Sequence, residues 1–414
     1  MDSAFLHSYA RVLLQVGVNL QPGQNLRILA EPVQREFMLI VAEEAYRLGG
    51  RFVRLEYADA RLTRIQAQTL ESRHLDYVPG FYAKDLQTYL DEEWSLLRLE
   101  GQEDPDILAD VDKARLATMR QASSRAGHFF QQQVMTNRLT WCVAPAPTPR
   151  WARKVLGDAG GSDPAGVDPV EGLWKLFVPI LRLDHSDPVA AWKEHSEHLQ
   201  RRGRALNAMR LEALRFEGPG TDLTVGLMPR SRFIGGGAVS QKGITFIPNL
   251  PTEEVFTTPD ARRTEGTLRC TRPVEVLGVP VEGITMEFRE GLVRRCDAVR
   301  GRDALERYLT IDPNAGRAGE ISLVDISSPV HRSGRVYHSI LFDENAACHL
   351  ALGNGYPDAI EGGEKLSEDE LRALGCNVSL VHTDFMIGSP EVDVFGVTAG
   401  GRRTAILRDG SFVI

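Results

Sequence analysis

The sequence predicts an α/β domain over residues 1–187, a connecting helix over 188–209 and a β-rich, barrel-like α+β domain over 210–414. Three observations carry that division. In the first half, strand-like and helix-like apolar periods alternate, as in a parallel α/β layer. From about Arg210 the texture changes to short alternating runs between glycine turns, the pattern of hairpins. The length of 414 residues also exceeds what one ordinary core holds, so two domains are expected.

Helical spacing at Phe5, Leu6, Tyr9, Leu13, Leu14 and Val18 predicts an opening helix, which QPGQ breaks before the strand NLRILAE. Glu36 to Leu48 reads as a helix ending at Gly49-Gly50, and RFVRLEYAD as the next strand. Helices are expected over Lys84 to Leu99, Pro105 to Ala126 and Pro149 to Leu156, around the strand RLTWCVAPAP with its proline-rich exit. Gly157 to Gly172 reads as a surface loop, and Pro188 to Met209 as a long charged helix. Beyond it, RLEALRFEG, TDLTVGLM, GITFIPN, the stretch from GTLRC to VRRC, and GRRTAILRDGSFVI are the hairpin strands.

Hydrophobic residues make up 43% and charged residues 25% of the chain, proportions of a soluble globular protein. A formal charge of −8 without a Lys/Arg stripe argues against nucleic acid as partner. Five scattered cysteines with no CxxC spacing fit reduced thiols in the cytoplasm. The start lacks a cationic segment leading into a long apolar block, and no apolar run reaches the roughly 18 residues a membrane helix needs. A soluble, cytosolic protein is expected.

No HExxH, GxxxxGK, GxGxxG or GxSxG motif occurs. Gly235 to Gly237 reads as a bulge or a close backbone approach. His195 and His198 in KEHSEHLQRR read as the solvated face of a charged helix, not as a metal site.

The chemistry-bearing residues are Glu254, Glu320, Glu344, His349, His382 and Asp384. Mixed carboxylate and imidazole donors suit zinc, cobalt, manganese or iron, and four carboxylates exceed what one ion needs. His382 and Asp384 lie two apart on an apolar run, so a strand sends both to one face. His349 is expected on a helix opened by Asp343 and closed near Gly353, with Glu344 in its first turn. Neighbours Glu253 and Glu254 point to opposite sides of an extended chain, so at most one reaches a given metal pair. Glu320 opens an apolar strand after Gly319. Each of these taken alone also reads as an ordinary structural residue.

Together, FIPNLPTEEVFTTPD, GEISLVD, RSGRVYHSILFDENAACHLALGNGYP and SLVHTDFMIGSPEVDV resemble the metallo-aminopeptidase family of aminopeptidase T and aminopeptidase S, first associated with thermophilic bacteria, over nearly the full length. The resemblance implies an α/β domain, a β-rich domain of unusual topology and a homodimer enclosing the active site. Position by position, it places metal ligands at Glu254, Glu320, Glu344, His349, His382 and Asp384, with Tyr356 of NGYP nearby. Cys348 departs from the small residue, often Ser, that the family carries before the ligand histidine.

The implied cofactors are two divalent ions of zinc, cobalt, manganese or magnesium, and the implied substrates are peptides with a free N-terminus. Glu253 or Glu254 is the expected proton acceptor, with Glu254 the better candidate for a ligand. Tyr356 is the expected donor to the oxyanion. Two other classes fit parts of the pattern. His349, His382 and Asp384 spell the set of a non-haem Fe(II) ring-cleaving dioxygenase, and an inert metal- or peptide-binding dimer would keep the fold without turnover.

Overall fold

The apolar segments NLRILA, FVRLEY, SLLRLE and WCVAP form strands β1 (Asn25–Ala30), β2 (Phe52–Tyr57), β3 (Ser95–Glu100) and β4 (Trp141–Pro145). They pair in parallel in the order β2-β1-β3-β4. The computed structural model describes residues 3–104, 106–157 and 168–414. Helices α1 (Ser3–Val12), α2 (Arg35–Arg47), α3 (Ala60–Thr69), α4 (Gly80–Asp91), α5 (Lys113–Met135), α6 (Pro149–Leu156) and α7 (Pro169–Ile180) accompany the sheet. Asp59 and Asp112 start α3 and α5 by accepting the N–H groups of the first turn. An aromatic nest of Tyr9, Phe37 and Trp174 ties α1, α2 and α7 together.

The helix expected over Lys84 to Leu99 stops at Asp91, and SLLRLE is β3 instead. Its leucines favour a helix, but a place between β1 and β4 pairs the backbone on both sides and outweighs that preference. The helix expected over Pro105 to Ala126 begins only at Lys113, after its Asp112 cap, and runs on to Met135. Of the loop expected over Gly157 to Gly172, residues 158–167 lie outside the described residues, and the chain from Pro169 is already α7.

The chain divides into two compact units, Met1–Lys193 with Gly237–Leu250, and Glu194–Gly236 with Pro251–Ile414. The charged helix α8 (Pro188–Ala208) contains the boundary. In the second unit, β5 (Leu211–Gly218), β6 (Thr221–Leu227) and β7 (Ile234–Gly235) come first, while the small hairpin β8 (Ala238–Val239) and β9 (Thr245–Phe246) counts with the first unit. Gly236, at φ +74°, approaches α8 so closely that a Cβ would lie 2.2 Å from the Ser196 carbonyl oxygen, as the close-approach reading of the glycine run expects.

The remaining strands are β10 (Glu254–Thr257), β11 (Pro259–Arg269), β12 (Val274–Val276), β13 (Val279–Val281), β14 (Thr285–Arg289), β15 (Leu292–Asp297), β16 (Ala318–Val324), β17 (His349–Gly353), β18 (His382–Met386), β19 (Asp393–Thr398), β20 (Arg403–Arg408) and β21 (Ser411–Phe412). Short helices α9 (Arg302–Tyr308), α10 (Pro329–Arg332), α11 (Ile340–Asp343) and α12 (Glu368–Leu374) connect them. Apart from the two-stranded hairpin β12-β13, the barrel-like texture resolves into two antiparallel sheets. One has eight strands, β15-β14-β11-β6-β5-β19-β20-β21, and the other five, β18-β17-β16-β10-β7. Among the described residues, no helix is long and apolar enough to cross a membrane.

The five-stranded sheet has two very different faces. Val255, Ile321, Leu323, Leu350, Leu352 and Phe385 point one way into the unit's main core, together with Leu214, Phe216, Leu223 and Val225. The alternate residues carry the polar groups. Phe385 is fully buried against Tyr308, so Phe385→Ala will cost about 3–5 kcal/mol of stability, read by chemical denaturation.

Candidate metal centre

Strand register gathers the polar face. In β16, β17 and β18, Glu320 lies opposite Ala351, which lies opposite Asp384. Ser322 is paired with His349 in the neighbouring row, and Gly353 with His382. Glu254 enters from β10, opposite Val324. Period-two alternation therefore sends Glu254, Glu320, Ser322, His349, Ala351, His382 and Asp384 to one face. A bulge at Gly319 re-aims the start of β16, and only glycine fits there, because a Cβ would lie 2.3 Å from the Gly353 carbonyl oxygen.

Two donor triads result. Glu254, Glu320 and His349 offer ligand atoms within 4.8 Å of one another, and so do Glu320, His382 and Asp384. Glu320 belongs to both. His349 Nε2 lies 3.2 Å from Glu254 Oε2, 3.7 Å from Glu320 Oε1 and 3.9 Å from Asp384 Oδ1. His382 Nε2 lies 3.3 Å from Asp384 Oδ1 and 3.5 Å from the second oxygen of Glu320. Glu344 stands outside both triads, though its charge is felt by the same groups.

The imidazoles are oriented for ligation. The Nδ1 atoms of His349 and His382 face the carbonyl oxygens of Ala347 at 3.2 Å and Asn354 at 2.8 Å. A carbonyl only accepts, so each Nδ1 carries a hydrogen and each Nε2 faces the carboxylates, donating to them when the ring is protonated and free to bind a metal ion when it is neutral. Burial disfavours the charged form of both rings, yet the neighbouring carboxylates prevail and hold both pKa values well above the usual histidine range. Burial also pushes Glu344 well up, reinforced by the charges of Asp384 and Glu254. Burial would raise Asp384 too, but His382 outweighs it and keeps the group low. Among the described residues, no Lys or Arg ion pair reaches Glu254, Glu320, Glu344 or Asp384. Four carboxylates against two imidazoles on a buried sheet face need added positive charge, and divalent cations fit that need.

His349 does not lie on the expected helix. The segment after Ser339 makes one α turn, α11, then a 3-10 turn over Glu344–Ala346, and Ala347 extends the backbone into β17. Asp343 precedes that 3-10 turn without capping it through its side chain; its carboxylate accepts the Tyr337 and Ser339 N–H groups, and burial lifts its pKa to about 6. Alanine and leucine in ACHLALG favour a helix, but a central strand bonded to both β16 and β18 gains two ladders.

Glu253 and Glu254 point apart, as an extended chain requires. Glu254 accepts from Ser322 Oγ at 2.6 Å, while Glu253 Oε2 lies 3.5 Å from His195 Nε2. The solvated-face reading of His195 therefore fails, and only His198 is exposed. Helical spacing sets His195 between the fully buried Trp192 and Leu199 on the inner face of α8. The Tyr356 ring meets His382 edge-on at 5.1 Å and Phe256 at 5.5 Å. Its backbone N–H donates to Thr258 Oγ1, which donates back to the Tyr356 carbonyl. Burial first, then the charges of Glu320 and Asp384, raise the Tyr356 pKa well above its usual value, so the phenol stays a donor.

Sequence reasoning passed over Ser322 and Ala351. Ser322 follows Glu320 by two in a strand, so the same alternation that groups His382 with Asp384 would have found it. Ala351 carries no chemical signal, and only the register reveals it.

Known proteins resemble this chain over almost its whole length. A family profile described as "Thermophilic metalloprotease (M29)" matches residues 3–412. "Aminopeptidase 2" of Geobacillus stearothermophilus is 38% identical over 98% of this chain and 97% of its own. "Aminopeptidase T" of Thermus aquaticus is 36% identical over 99% of this chain and 98% of its own. The solved structure of wild-type AmpT from Thermus thermophilus superimposes with a TM-score of 0.91 at 34% identity, covering 99% of both chains. A match over nearly every residue, at these identities, means that the chain belongs to the M29 family of thermophilic metalloproteases.

Proposed function

We propose that this chain is a metallo-aminopeptidase that removes N-terminal residues from peptides on the polar face of its five-stranded sheet. Its family and its full-length aminopeptidase relatives support the hydrolase class. The observation that carries a two-ion centre is the sharing of Glu320 between two donor triads. We assign Glu254, Glu320, Glu344, His349, His382 and Asp384 as its ligands. The catalytic unit is the β-rich part over 210–414, with 1–187 as the α/β domain and 188–209 as the connecting helix.

Two divalent ions of zinc, cobalt, manganese or magnesium held there would supply an acidified water and a polarised scissile carbonyl. Glu253 is the carboxylate left for the water's proton, since Glu254 is already engaged by Ser322 and His349, and the role would require its side chain to turn from His195 toward the polar face. Tyr356, kept protonated by its surroundings, donates to the developing oxyanion. The surplus of carboxylates favours a free α-ammonium over an acylated terminus. All five cysteines are free thiols, which suits the cytoplasm, where we place the enzyme as a homodimer. The oxygenase and inert-dimer readings find no support in relatives named as aminopeptidases.

Hydrolysis of a leucyl chromogenic amide and its N-acetylated counterpart by metal-stripped protein, before and after each metal is restored, tests this reading. Metal-dependent cleavage of the free-amine substrate alone is expected. Silence with every metal, or equal cleavage of the acetylated control, would refute it.

A further inference from the structure

The turn that follows β17 carries the carbonyl that orients His382. Gly353, at φ +108°, leads the chain out of the strand, and a Cβ there would lie 2.0 Å from the Val381 carbonyl oxygen. Asn354 comes next, and its carbonyl takes the His382 Nδ1 hydrogen at 2.8 Å. Asn377, a buried residue, grips the chain on both sides of this carbonyl. Its side-chain Nδ2 donates to the Gly353 carbonyl at 2.6 Å, and its main-chain carbonyl accepts the Gly355 N–H at 2.8 Å. That N–H belongs to the same planar peptide as the Asn354 carbonyl, so holding one end holds the other. The same Nδ2 reaches the Asn314 carbonyl at 3.0 Å, which ties the grip to the segment leading into β16. Carbonyls only accept, so the amide nitrogen of Asn377 and not its oxygen faces them. Asp312 fastens the segment beyond, accepting from Ser379 Oγ at 2.7 Å and from the Leu380 N–H at 2.8 Å.

We propose that Asn377 is a positioning residue for the triad of Glu320, His382 and Asp384: by fixing the Asn354 carbonyl, it sets the His382 ring and aims Nε2 at the other two donors. The inference rests on the assignment of His382 as a metal ligand. An imidazole turns about its side-chain bonds, and a hydrogen bond from its second nitrogen is what gives a ligand ring its direction. Without the Asn377 amide, the Asn354 carbonyl loses its support and the ring its bearing. His349 takes its own bearing from the Ala347 carbonyl, so the triad of Glu254, Glu320 and His349 is spared. Asn377 acts through Asn354 and is not itself a ligand.

The test compares Asn377→Ala, Asn377→Asp, His382→Ala and Leu214→Ala, each measured for zinc bound per chain against free zinc and for unfolding temperature under chelation. Leu214 is fully buried in the eight-stranded sheet, so its truncation gives a destabilised control away from the turn. Asn377→Ala should weaken one of the two zinc ions about tenfold to a hundredfold and leave the other near wild type. Asn377→Asp keeps the shape but sets an oxygen against the carbonyls, so it should weaken that ion at least as much. In metal-free, histidine-labelled protein, the His382 Nδ1–H should give a slowly exchanging NMR signal, assigned by its absence in His382→Ala. Asn377→Ala should exchange that hydrogen at least about tenfold faster, while Leu214→Ala keeps it. The proposal fails if Asn377→Ala keeps the slow signal, if it binds both ions as wild type does, or if Leu214→Ala weakens zinc equally. Unchanged binding of both ions by His382→Ala would instead remove the ligand assignment.

Discussion

Glu320→Gln will lower kcat/KM for a leucyl amide roughly a thousandfold, equivalent to about 4 kcal/mol of transition-state stabilisation. Glu320 alone belongs to both donor triads, so its loss weakens two ion sites at once. Bound metal, counted by inductively coupled plasma mass spectrometry, should fall together with activity. Stability should move the other way. Glu320 is buried among Glu254, Glu344 and Asp384, so without metal its charge repels its neighbours. Under chelation the variant should unfold at a temperature no lower than chelated wild type. Full metal content with wild-type turnover would rule out the shared-ligand role, and a large fall in the chelated unfolding temperature would show that Glu320 mainly supports the fold.

Ala351→Leu should abolish metal binding without touching a ligand. Ala351 is fully buried, and strand register places it between Glu320 and Asp384 on the polar face. A leucine there puts apolar branches where the donors converge. Activity should fall at least about a hundredfold, in line with other changes that disturb ligand orientation. Overpacking should cost about 1–3 kcal/mol of stability as well. Ala351→Gly is the matched control, with roughly 0.5–1 kcal/mol lost to backbone freedom and turnover retained. Wild-type activity in the leucine variant would mean that the reacting centre lies elsewhere on this face.

The two predictions depend on different kinds of information. Glu320 was legible because a carboxylate inside an apolar strand is chemically unusual, and because it stands in a long string shared with a known family. Ala351 was not legible, because its importance lies wholly in what stands beside it. Segments such as NLRILA and HTDFM were readable as strands because their apolar residues are β-branched, aromatic or regularly spaced. SLLRLE and HLALG were misread, since leucine and alanine favour helices and only pairing with two neighbours turns them into strands. His195 shows the same limit from another direction. A run dense with charge suggests a solvated face, yet Trp192 and Leu199 bury the side of α8 that carries it.

By itself, the sequence determined the donor chemistry, the change from α/β to β-rich texture, and the alternation that sends His382 with Asp384 to one face and Glu253 away from Glu254. These properties are local, fixed by side-chain type and by the two-residue period of an extended chain. The tertiary structure alone decided that β17 lies between β16 and β18, that Glu320 serves two triads, that Ala351 leaves the space between donors, and that α8 brings a histidine to Glu253. Each of these depends on register and packing between segments far apart in the chain, where long-range pairing overrides local preference.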